Sequence, residues 1–324
     1  MGRKMPLLRP RLVTVAVCAS AAAALVVGPS GQGRPGGLAP LGSAASNAFL
    51  REGAHARTSP TGRIAFSAGA HPHENIYVVN ADGSGLKRLT SDRGADLDPS
   101  WSPDGRRIAY RHESGGGDAS AEIYVMNADG SQKRNLTRRP GQDYSPAWSP
   151  DGKRIAYAAL RGDGPPRIWV MRTDGSGQRR VSRLAGEYPA WSPDGRRIAF
   201  DRNTFGPRAW DIWVVNADGS HPRPLIASRA DEQGAAWSPD GKTIAYGSSR
   251  GARAGYKRIW LAKTDGSDQR LLTRKDGERP TWTKPGTHVL FTAAGIFLVR
   301  RDGSGLRAIP VQAPGEAALA DWTR

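Results

Sequence analysis

Short apolar runs of four or five residues, separated by clusters of glycine, proline and polar residues, recur from about residue 57 onward. β-Branched and aromatic residues dominate these runs, which is typical of β-strands. Two runs in each repeat are apolar on consecutive residues, as in residues 108–110 and 123–126. Consecutive apolar residues predict strands that are buried on both faces, as in stacked sheets. No helical period of useful length is present in this part of the chain.

A tryptophan motif divides these runs into repeats. The motif is Trp-Ser-Pro-Asp-Gly in four copies and Trp-Thr-Lys-Pro-Gly in a fifth, and a last tryptophan has no turn after it: Trp101, Trp148, Trp191, Trp237, Trp282 and Trp322. Successive tryptophans lie 40 to 47 residues apart, and each repeat also contains an Asp-Gly-Ser turn. Both turns suit hairpins, because Pro presets φ and Gly accepts a positive φ. Each repeat is therefore predicted to form four strands.

Radially stacked four-stranded repeats of this length predict an all-β fold, a six-bladed β-propeller. The first repeat has no tryptophan strand of its own, and the last tryptophan has no repeat after it. We therefore predict that a C-terminal strand at about residues 319–323 completes blade one and closes the ring, which removes open sheet edges. We expect the repeat tryptophans to pack between blades.

The repeated pieces resemble a known family. Trp-Ser-Pro-Asp-Gly, then Ile-Ala-Tyr, then Ile-Tyr-Val-Met-Asn-Ala-Asp-Gly resembles the WD-like repeats of the TolB propeller domain. Similar repeats form the propellers of dipeptidyl peptidase IV-type and acylaminoacyl peptidases. The TolB resemblance implies an additional N-terminal domain and the peptidase resemblance a hydrolase domain, and this sequence matches neither. The resemblance thus implies an exported propeller that acts as a binding module.

The N-terminal segment has a different character from the repeats. Basic residues precede an apolar run at residues 12–27, which is the pattern of a secretory signal peptide or an N-terminal anchor. We assign residues 1–30 to this signal, residues 31–56 to a flexible spacer rich in Gly, Ala and Pro, and residues 57–324 to the propeller. The expected location is secreted or in the cell envelope.

Charge and cysteine content exclude some classes of protein. The 324 residues contain one Cys, so a disulfide framework is excluded. The formal net charge is +17 and falls to about +12 when the basic N-terminal segment is removed. Basic residues flank strand ends in every repeat, so we expect a dispersed charge, not a nucleic-acid-binding stripe. An anionic wall polymer or a membrane surface is the alternative class of partner.

Carboxylates that precede the repeat tryptophans are the candidate ligand-binding residues. We expect them on connections from the outer strand of one blade to the inner strand of the next, near one mouth of the channel. A ring of carboxylates there would bind a cationic ligand, a basic peptide or a metal ion. Alternatively, each carboxylate pairs with a neighbouring arginine, such as Arg93, Arg138, Arg183 or Arg279. The candidates are Asp96, Asp98, Asp143, Glu187, Asp231, Glu232, Glu278 and Glu316.

These features predict a non-catalytic, monomeric module that binds an envelope protein or peptide. No catalytic constellation is recognised; the one Gly-x-Ser-x-Gly match, at residues 247–251, lies in a predicted loop. No cofactor or metal is predicted, although a carboxylate ring would also suit a channel calcium ion. Two alternatives stay open: an enzyme or a peptidase- or lyase-associated propeller that uses the channel, and a binder of anionic envelope polymers.

Overall fold

The strands of the protein form six separate sheets. The computed structural model describes residues 62–70, 72–115, 120–204, 210–314 and 317–322. Within them, 24 strands form six four-stranded antiparallel sheets, the blades of a β-propeller. The propeller lies in a compact unit, Ala56–Arg324. In the described part of the chain, no helix is long and apolar enough to cross a membrane.

In blades two to six, the four strands follow one another in chain order, whereas blade one combines the first three strands with the last. Blade one contains β1 (Arg63–Ala68), β2 (Asn75–Asn80) and β3 (Lys87–Arg88) with the C-terminal β24 (Ala317–Trp322). Blade two contains β4 (Ala95–Trp101), β5 (Arg107–Glu113), β6 (Ala121–Asn127) and β7 (Arg134–Asn135). Blade three contains β8 (Gln142–Trp148), β9 (Arg154–Leu160), β10 (Arg167–Arg172) and β11 (Arg179–Ala185). Blade four contains β12 (Glu187–Trp191), β13 (Arg197–Asn203), β14 (Trp210–Asn216) and β15 (Arg223–Ile226). Blade five contains β16 (Glu232–Trp237), β17 (Thr243–Ser248), β18 (Arg258–Lys263) and β19 (Arg270–Asp276). Blade six contains β20 (Glu278–Trp282), β21 (His288–Ala293), β22 (Gly295–Arg300) and β23 (Arg307–Ala308).

The ring closes as the sequence predicts. The C-terminal β24 pairs with β1, with Ile64 opposite Trp322 and Ala68 opposite Ala317. This strand takes the innermost place in blade one, the place that β4 takes in blade two. The predicted all-β, six-bladed propeller is therefore confirmed, with a closing strand two residues longer at its start than expected.

The two central strands of each blade are buried on both faces. In β5, Ile108, Ala109 and Tyr110 are all almost fully buried. Their side chains alternate between the two faces of the sheet, and each face packs against a neighbouring blade. Ala109 therefore lies in the cluster shared with blade three, and Ile108 and Tyr110 lie in the cluster shared with blade one. This packing explains why the repeat is apolar on consecutive residues.

In blades two to six, both hairpin turns lie at the same end of the propeller, and the one turn of blade one, between β2 and β3, lies there as well. Arg107, which follows the Ser-Pro-Asp-Gly turn, pairs with Asn127, which precedes the Asp-Gly-Ser turn. Within the first turn, Ser102 donates to Asp104 over 2.6 Å, and Gly105 has a φ of +66°. We call this end the turn face, and the end at which the first strands begin the opposite face.

The repeat tryptophans lie at blade interfaces. The five whose side chains are described are buried, whereas the Trp322 side chain lies outside the described residues. The guanidinium at the start of one blade's second strand lies over the ring of the next blade's tryptophan, 4.6 Å away for Arg154 and Trp191. The same contact joins Arg63 to Trp101, Arg107 to Trp148 and Arg197 to Trp237. Each such pair couples two successive blades.

Candidate functional site in the central channel

The inner strands of the blades surround a central channel of about 560 Å³. Proline rings form much of its wall. Four inner strands have a proline two residues before the repeat tryptophan, and four of the turns have another two residues after it. The prolines on the wall are Pro99, Pro146, Pro189 and Pro280, then Pro103, Pro150, Pro193 and Pro239 nearer the turn face. Pro has no N–H and a fixed φ, so this wall is rigid and poor in hydrogen-bond donors.

A bulge interrupts each of the five inner strands from β4 to β20 at the same point. The pairing register shifts there, and the residue three before the repeat tryptophan has a φ between +49° and +68°. We call these residues the bulge ring: Asp98, Ser145, Tyr188, Gly234 and Arg279. A left-handed backbone costs a residue other than Gly about 1–2 kcal/mol, and such strain concentrates at functional sites. The tryptophan three residues later is the same in all five blades, yet here four of the blades present different side chains to the channel and the fifth a glycine.

Arg279 crosses from blade six to blade four. Its guanidinium carbon lies 4.0 Å from the centre of the Tyr188 ring, which is a cation–π contact. Between them is Gly234 of blade five, where an added Cβ would lie 3.3 Å from the Cα of Arg279. The absence of a side chain at Gly234 thus leaves room for the contact. Among the described residues, no carboxylate oxygen lies within 4.0 Å of the Arg279 guanidinium.

Asp98 joins blade two to blade three. Its carboxylate accepts bonds from the backbone N–H and the hydroxyl of Ser145, at 3.3 and 3.4 Å. The Nε of Arg111 lies 3.4 Å from the same oxygen, and a second nitrogen of Arg111 lies 3.2 Å from Glu113. The Asp98 charge is therefore compensated within the site.

Two further carboxyl groups lie beside the bulge ring with raised pKa values. Burial raises the pKa of Asp201 to about 7, although both of its oxygens accept from the Gly234 N–H at 3.0 and 2.9 Å. Burial also raises the pKa of Glu187, against the lowering effects of a hydrogen bond with Tyr144 and the nearby charge of Arg279. Asp201 can therefore hold a proton near neutral pH, so the charge of this region depends on pH.

The candidate carboxylates do not lie on the connections between blades. Apart from Asp231, just before β16, those described belong to the inner strands themselves, close to their first residues. Glu316 lies outside the described residues. Five of the candidates open the inner strands from β4 to β20 and pair with the second strand of their own blade. Asp96, Asp143 and Glu232 share one position, five residues before the repeat tryptophan, whereas Glu187 and Glu278 lie one residue later.

Three of these opening carboxylates are buried and paired. Asp96 lies 2.7 Å from the His112 ring, which raises the pKa of His112. Asp143 accepts two bonds from Arg161, at 2.6 and 2.8 Å, yet burial raises its pKa to about 6.

Glu232 accepts from Ser228 and Arg250, at 2.7 and 3.1 Å. The cationic partners of Asp96, Asp143 and Glu232 thus come from the second strand of the blade or from the residues just after it. In the described structure, Arg93, Arg138 and Arg183 pair with none of the candidates.

The remaining candidates differ from one another. Asp98 belongs to the bulge ring, and Glu187 lies next to Tyr188. Asp231 accepts from the backbone N–H of Trp210 at 3.2 Å, which is a loop contact. Glu278 is exposed, 4.0 Å from Lys257. Among the described residues, no group of three or more His, Cys, Asp or Glu side chains could hold a metal ion.

Sequence reasoning missed most of the site. Tyr188, Ser145 and Arg111 were not candidates, and Arg279 was considered only as a partner of a carboxylate. One signal could have found the bulge ring: the position three before each tryptophan varies in chemical type, whereas the tryptophan and its turn do not.

Family models match most of the propeller. Residues 61–210 match the model of the tricorn protease N-terminal β-propeller domain, and residues 184–302 match that of the TolB β-propeller domain.

Among curated proteins, a protein TolB homolog of Chlorobium luteolum is 41% identical over 49 residues, 15% of this chain and 11% of that protein. Dipeptidyl-peptidase 5 of Porphyromonas gingivalis is 35% identical over 65 residues, 18% of this chain and 10% of that protein. The matches thus span about a tenth of the length of these relatives.

A solved structure shares the fold over most of this chain. The crystal structure of TolB from Acinetobacter baumannii superposes with a TM-score of 0.69 at 22% identity. The match covers 81% of this chain and 66% of that one. Motifs, family models, curated relatives and fold agree: the chain is a six-bladed β-propeller of the TolB-like type.

Proposed function

We propose that this protein is an exported, non-catalytic propeller that binds a protein or peptide segment of the cell envelope in its central channel. The bulge ring carries this proposal, because the blades stop being alike at the channel wall and present five different groups there. A scaffold alone needs no such diversity at strained positions. The channel, at about 560 Å³, is within the size range of sites for small ligands and short peptide segments.

Binding suits the chemistry of this wall better than catalysis. A general base needs a group that is free to reach the substrate proton. The charged groups here are instead held by one another: Asp98 by Arg111 and Ser145, and Arg279 on the ring of Tyr188. Such preorganised polar groups in a rigid wall of proline rings provide orientation and specificity for a bound segment.

Site-specific photocrosslinking in the native cell tests the channel as the binding site. A photoreactive amino acid at Ser145 faces the channel, and the same amino acid at the exposed Arg138 on the opposite face is the matched control. We expect one discrete adduct from position 145 that is absent from position 138 and is lost in the Arg279→Ala variant. Equal adducts from both positions, or an adduct unaffected by Arg279→Ala, would contradict channel binding.

Export is tested separately. Residues 1–56 are fused to a reporter enzyme that is active only outside the cytoplasm, and the control replaces two leading basic residues with Glu and the apolar run with a polar sequence. We expect activity only from the natural segment. Equal activity from both fusions would remove the envelope from the proposal.

A further inference from the structure

The net positive charge of the propeller is confined to one face. The two turns of each blade and the strand ends that flank them carry 22 Lys and Arg against 11 acidic residues, whereas the rest of the described propeller carries 16 of each. The sequence suggested a dispersed charge because the basic pairs recur in every repeat. Antiparallel pairing instead brings the start of the second strand, the end of the third and the start of the fourth to the same end.

Ten of the eleven acidic residues of this face accept hydrogen bonds within their own turns, and the eleventh, Asp268, lies 3.5 Å from Lys263. Asp104 and its equivalents accept from the Ser and backbone of their own turn, as Asp129 and its equivalents do in the second turn. Arg106, Lys153, Arg196 and Lys242 are different, since they are exposed at the tips of the first turns. An extended surface with an excess of unpaired cations attracts an extended anionic surface.

Two leucines interrupt this cationic face at one place. Leu86 and Leu306 are 37% and 43% exposed, and with Tyr256 they are the only exposed large hydrophobic residues in the described part of the chain. They occupy equivalent positions in blades one and six, four residues after the Asp of the second turn.

These two blades are neighbours. A Cβ added to Gly83 in the blade-one turn would lie 2.5 Å from the Pro310 carbonyl oxygen, which follows the last strand of blade six. Each leucine precedes a basic residue, Lys87 or Arg307.

The N-terminal part of the chain reaches the propeller at the same place. β1 begins at Arg63, and the carbonyl of Gly62 accepts from the N–H of Ala81, in the blade-one turn that precedes Leu86. The first residue that the structure describes, Gly62, thus lies at the turn face.

We infer that the turn face is a docking surface for a bilayer that contains anionic phospholipids. The cationic face supplies long-range attraction to the headgroups, and Leu86 and Leu306 insert below them. Apolar side chains beside Lys and Arg suit a lipid interface, because the basic stems extend along apolar surface while their charges stay in water. A soluble polyanion would use the cations but not the leucines. This inference does not depend on what the channel binds.

Fluorescence quenching by lipids tests the orientation in the full chain. In a Cys18→Ser background, one fluorophore is attached at Gln132→Cys on the turn face and another, in a separate protein, at Tyr256→Cys on the opposite face. The vesicles are phosphatidylcholine with or without phosphatidylglycerol, and both carry a quencher lipid. We expect the label at position 132 to be quenched at least about twofold more in the anionic vesicles, and less as salt increases. The label at position 256 should not respond to phosphatidylglycerol.

Variants separate lipid docking from general polyanion binding. In the double variant Leu86→Ser with Leu306→Ser, the lipid concentration that gives half of the phosphatidylglycerol-dependent quenching should rise about tenfold. The reason is that the two leucines no longer contribute the free energy of moving apolar side chains out of water. Arg138→Glu with Arg274→Glu, exposed on the opposite face, should leave it unchanged. Equal quenching of both labels would overturn the inference. The inference would also be overturned if the leucine variants bound like wild type and inorganic polyphosphate displaced the protein from the vesicles. That result would identify the turn face as a polyanion-binding surface.

Discussion

The inner strands end at the turn face and contain the bulge ring three residues before their tryptophans, and these two regions differ in how far the repeat determines their residues. At the turn face, blades two to five repeat the same turn with the same hydrogen bonds, and four junctions have nearly the same arginine–tryptophan contact. At the bulge ring, the five blades from two to six have the same left-handed backbone, but four of them have different side chains and the fifth has a glycine. The repeated chemistry holds the blades together, and the varied chemistry provides the recognition surface. Substitutions at the turn face should therefore change mainly the stability of the fold, and substitutions at the bulge ring mainly the binding of a ligand.

Trp191→Ala should cause the largest loss of stability. Trp191 is buried at the interface of blades three and four, under Arg154, and its Nε1–H donates to the carbonyl of Ala147 at 3.1 Å. Truncation of a buried tryptophan costs about 3–5 kcal/mol of unfolding free energy. Tyr188→Gly, three residues earlier, removes a ring as well but relieves a φ of +49°, so we expect a loss of about 1 kcal/mol or less. Urea unfolding measures the free energy of unfolding of both variants. Equal losses of that free energy would contradict the prediction.

Asp201→Asn should change the dependence of stability on pH. The folded pKa of Asp201 is about 7, above its ordinary value of 3.8, because the carboxyl group is buried. A raised acid pKa means that the folded state binds more protons, so the contribution of this group is fully present below pH 3.8 and is lost as the pH rises towards 7. Asn still accepts from Gly234 but has no charge, so the variant should be more stable than wild type by about 2–4 kcal/mol at pH 8 and show little difference at pH 4.

The matched control for this prediction is Asp143→Asn. Asp143 also has a raised pKa, but its carboxylate is bonded twice to Arg161. Removal of its charge leaves a cation without its partner, so we expect destabilisation at neutral pH. Unfolding curves between pH 4 and 8 should therefore diverge in opposite directions for the two variants; parallel curves would show that burial of Asp201 does not set its pKa.

Asp321→Ala should cost about 1–3 kcal/mol, because it leaves a backbone N–H without its acceptor. Asp321, in the closing strand, accepts from the Trp101 N–H of blade two at 2.8 Å and from the Thr281 hydroxyl of blade six at 3.3 Å. It thus connects three blades where the ring closes. Asp321→Asn keeps an acceptor oxygen and should lose less, whereas Thr281→Val should lose least. Thermal unfolding in that order supports the assignment; an Asn variant as unstable as the Ala variant would contradict it.

The fold could be predicted from the sequence because its information is local and repeated. The tryptophan, the turn after it and two apolar runs define four strands without any knowledge of distant contacts. The closing strand followed from the unmatched Trp322 alone. The variable position three before each tryptophan could be noticed in this way, but its backbone could not be predicted, because the left-handed φ of Asp98 or Ser145 accompanies a register shift against the second strand. The contact of Arg279 with Tyr188 also depends on the empty position at Gly234, a relation across three blades.

The cationic partners of the candidate carboxylates could not be predicted from the sequence for a similar reason. The spacing of the carboxylates before each tryptophan can be read from the sequence, but spacing does not reveal that an inner strand pairs with its own second strand, which supplies the cation that pairs with the carboxylate. Asp96 opposite His112 and Asp143 opposite Ala159, two residues before Arg161, follow from that register. Neighbours in sequence such as Arg93 and Arg138 were therefore the wrong partners to consider.

The smallest predicted effect concerns the one described blade junction where the arginine–tryptophan repeat fails. Thr243 of blade five occupies the place of Arg63, Arg107, Arg154 and Arg197 in the other blades. Arg301 of blade six replaces it: its guanidinium lies 5.4 Å from the Trp282 ring and donates to Asp240 and Thr243, at 2.8 and 2.5 Å. At this junction Arg301 thus makes, from the blade of the tryptophan itself, the contact that an arginine of the preceding blade makes at the other junctions.

Arg301→Ala should accordingly cost about 1 kcal/mol, and Arg154→Ala about 0.5–1 kcal/mol, as expected for cation–π contacts near the surface. Adding Thr243→Arg to Arg301→Ala places a guanidinium where the other blades have it, so it should restore most of the loss. The same Thr243→Arg change in the wild type brings two cations to one ring and should give no gain. Urea midpoints at low salt measure this cycle. Failure of the double variant to recover would mean that Arg301 acts through Asp240, not through the tryptophan ring.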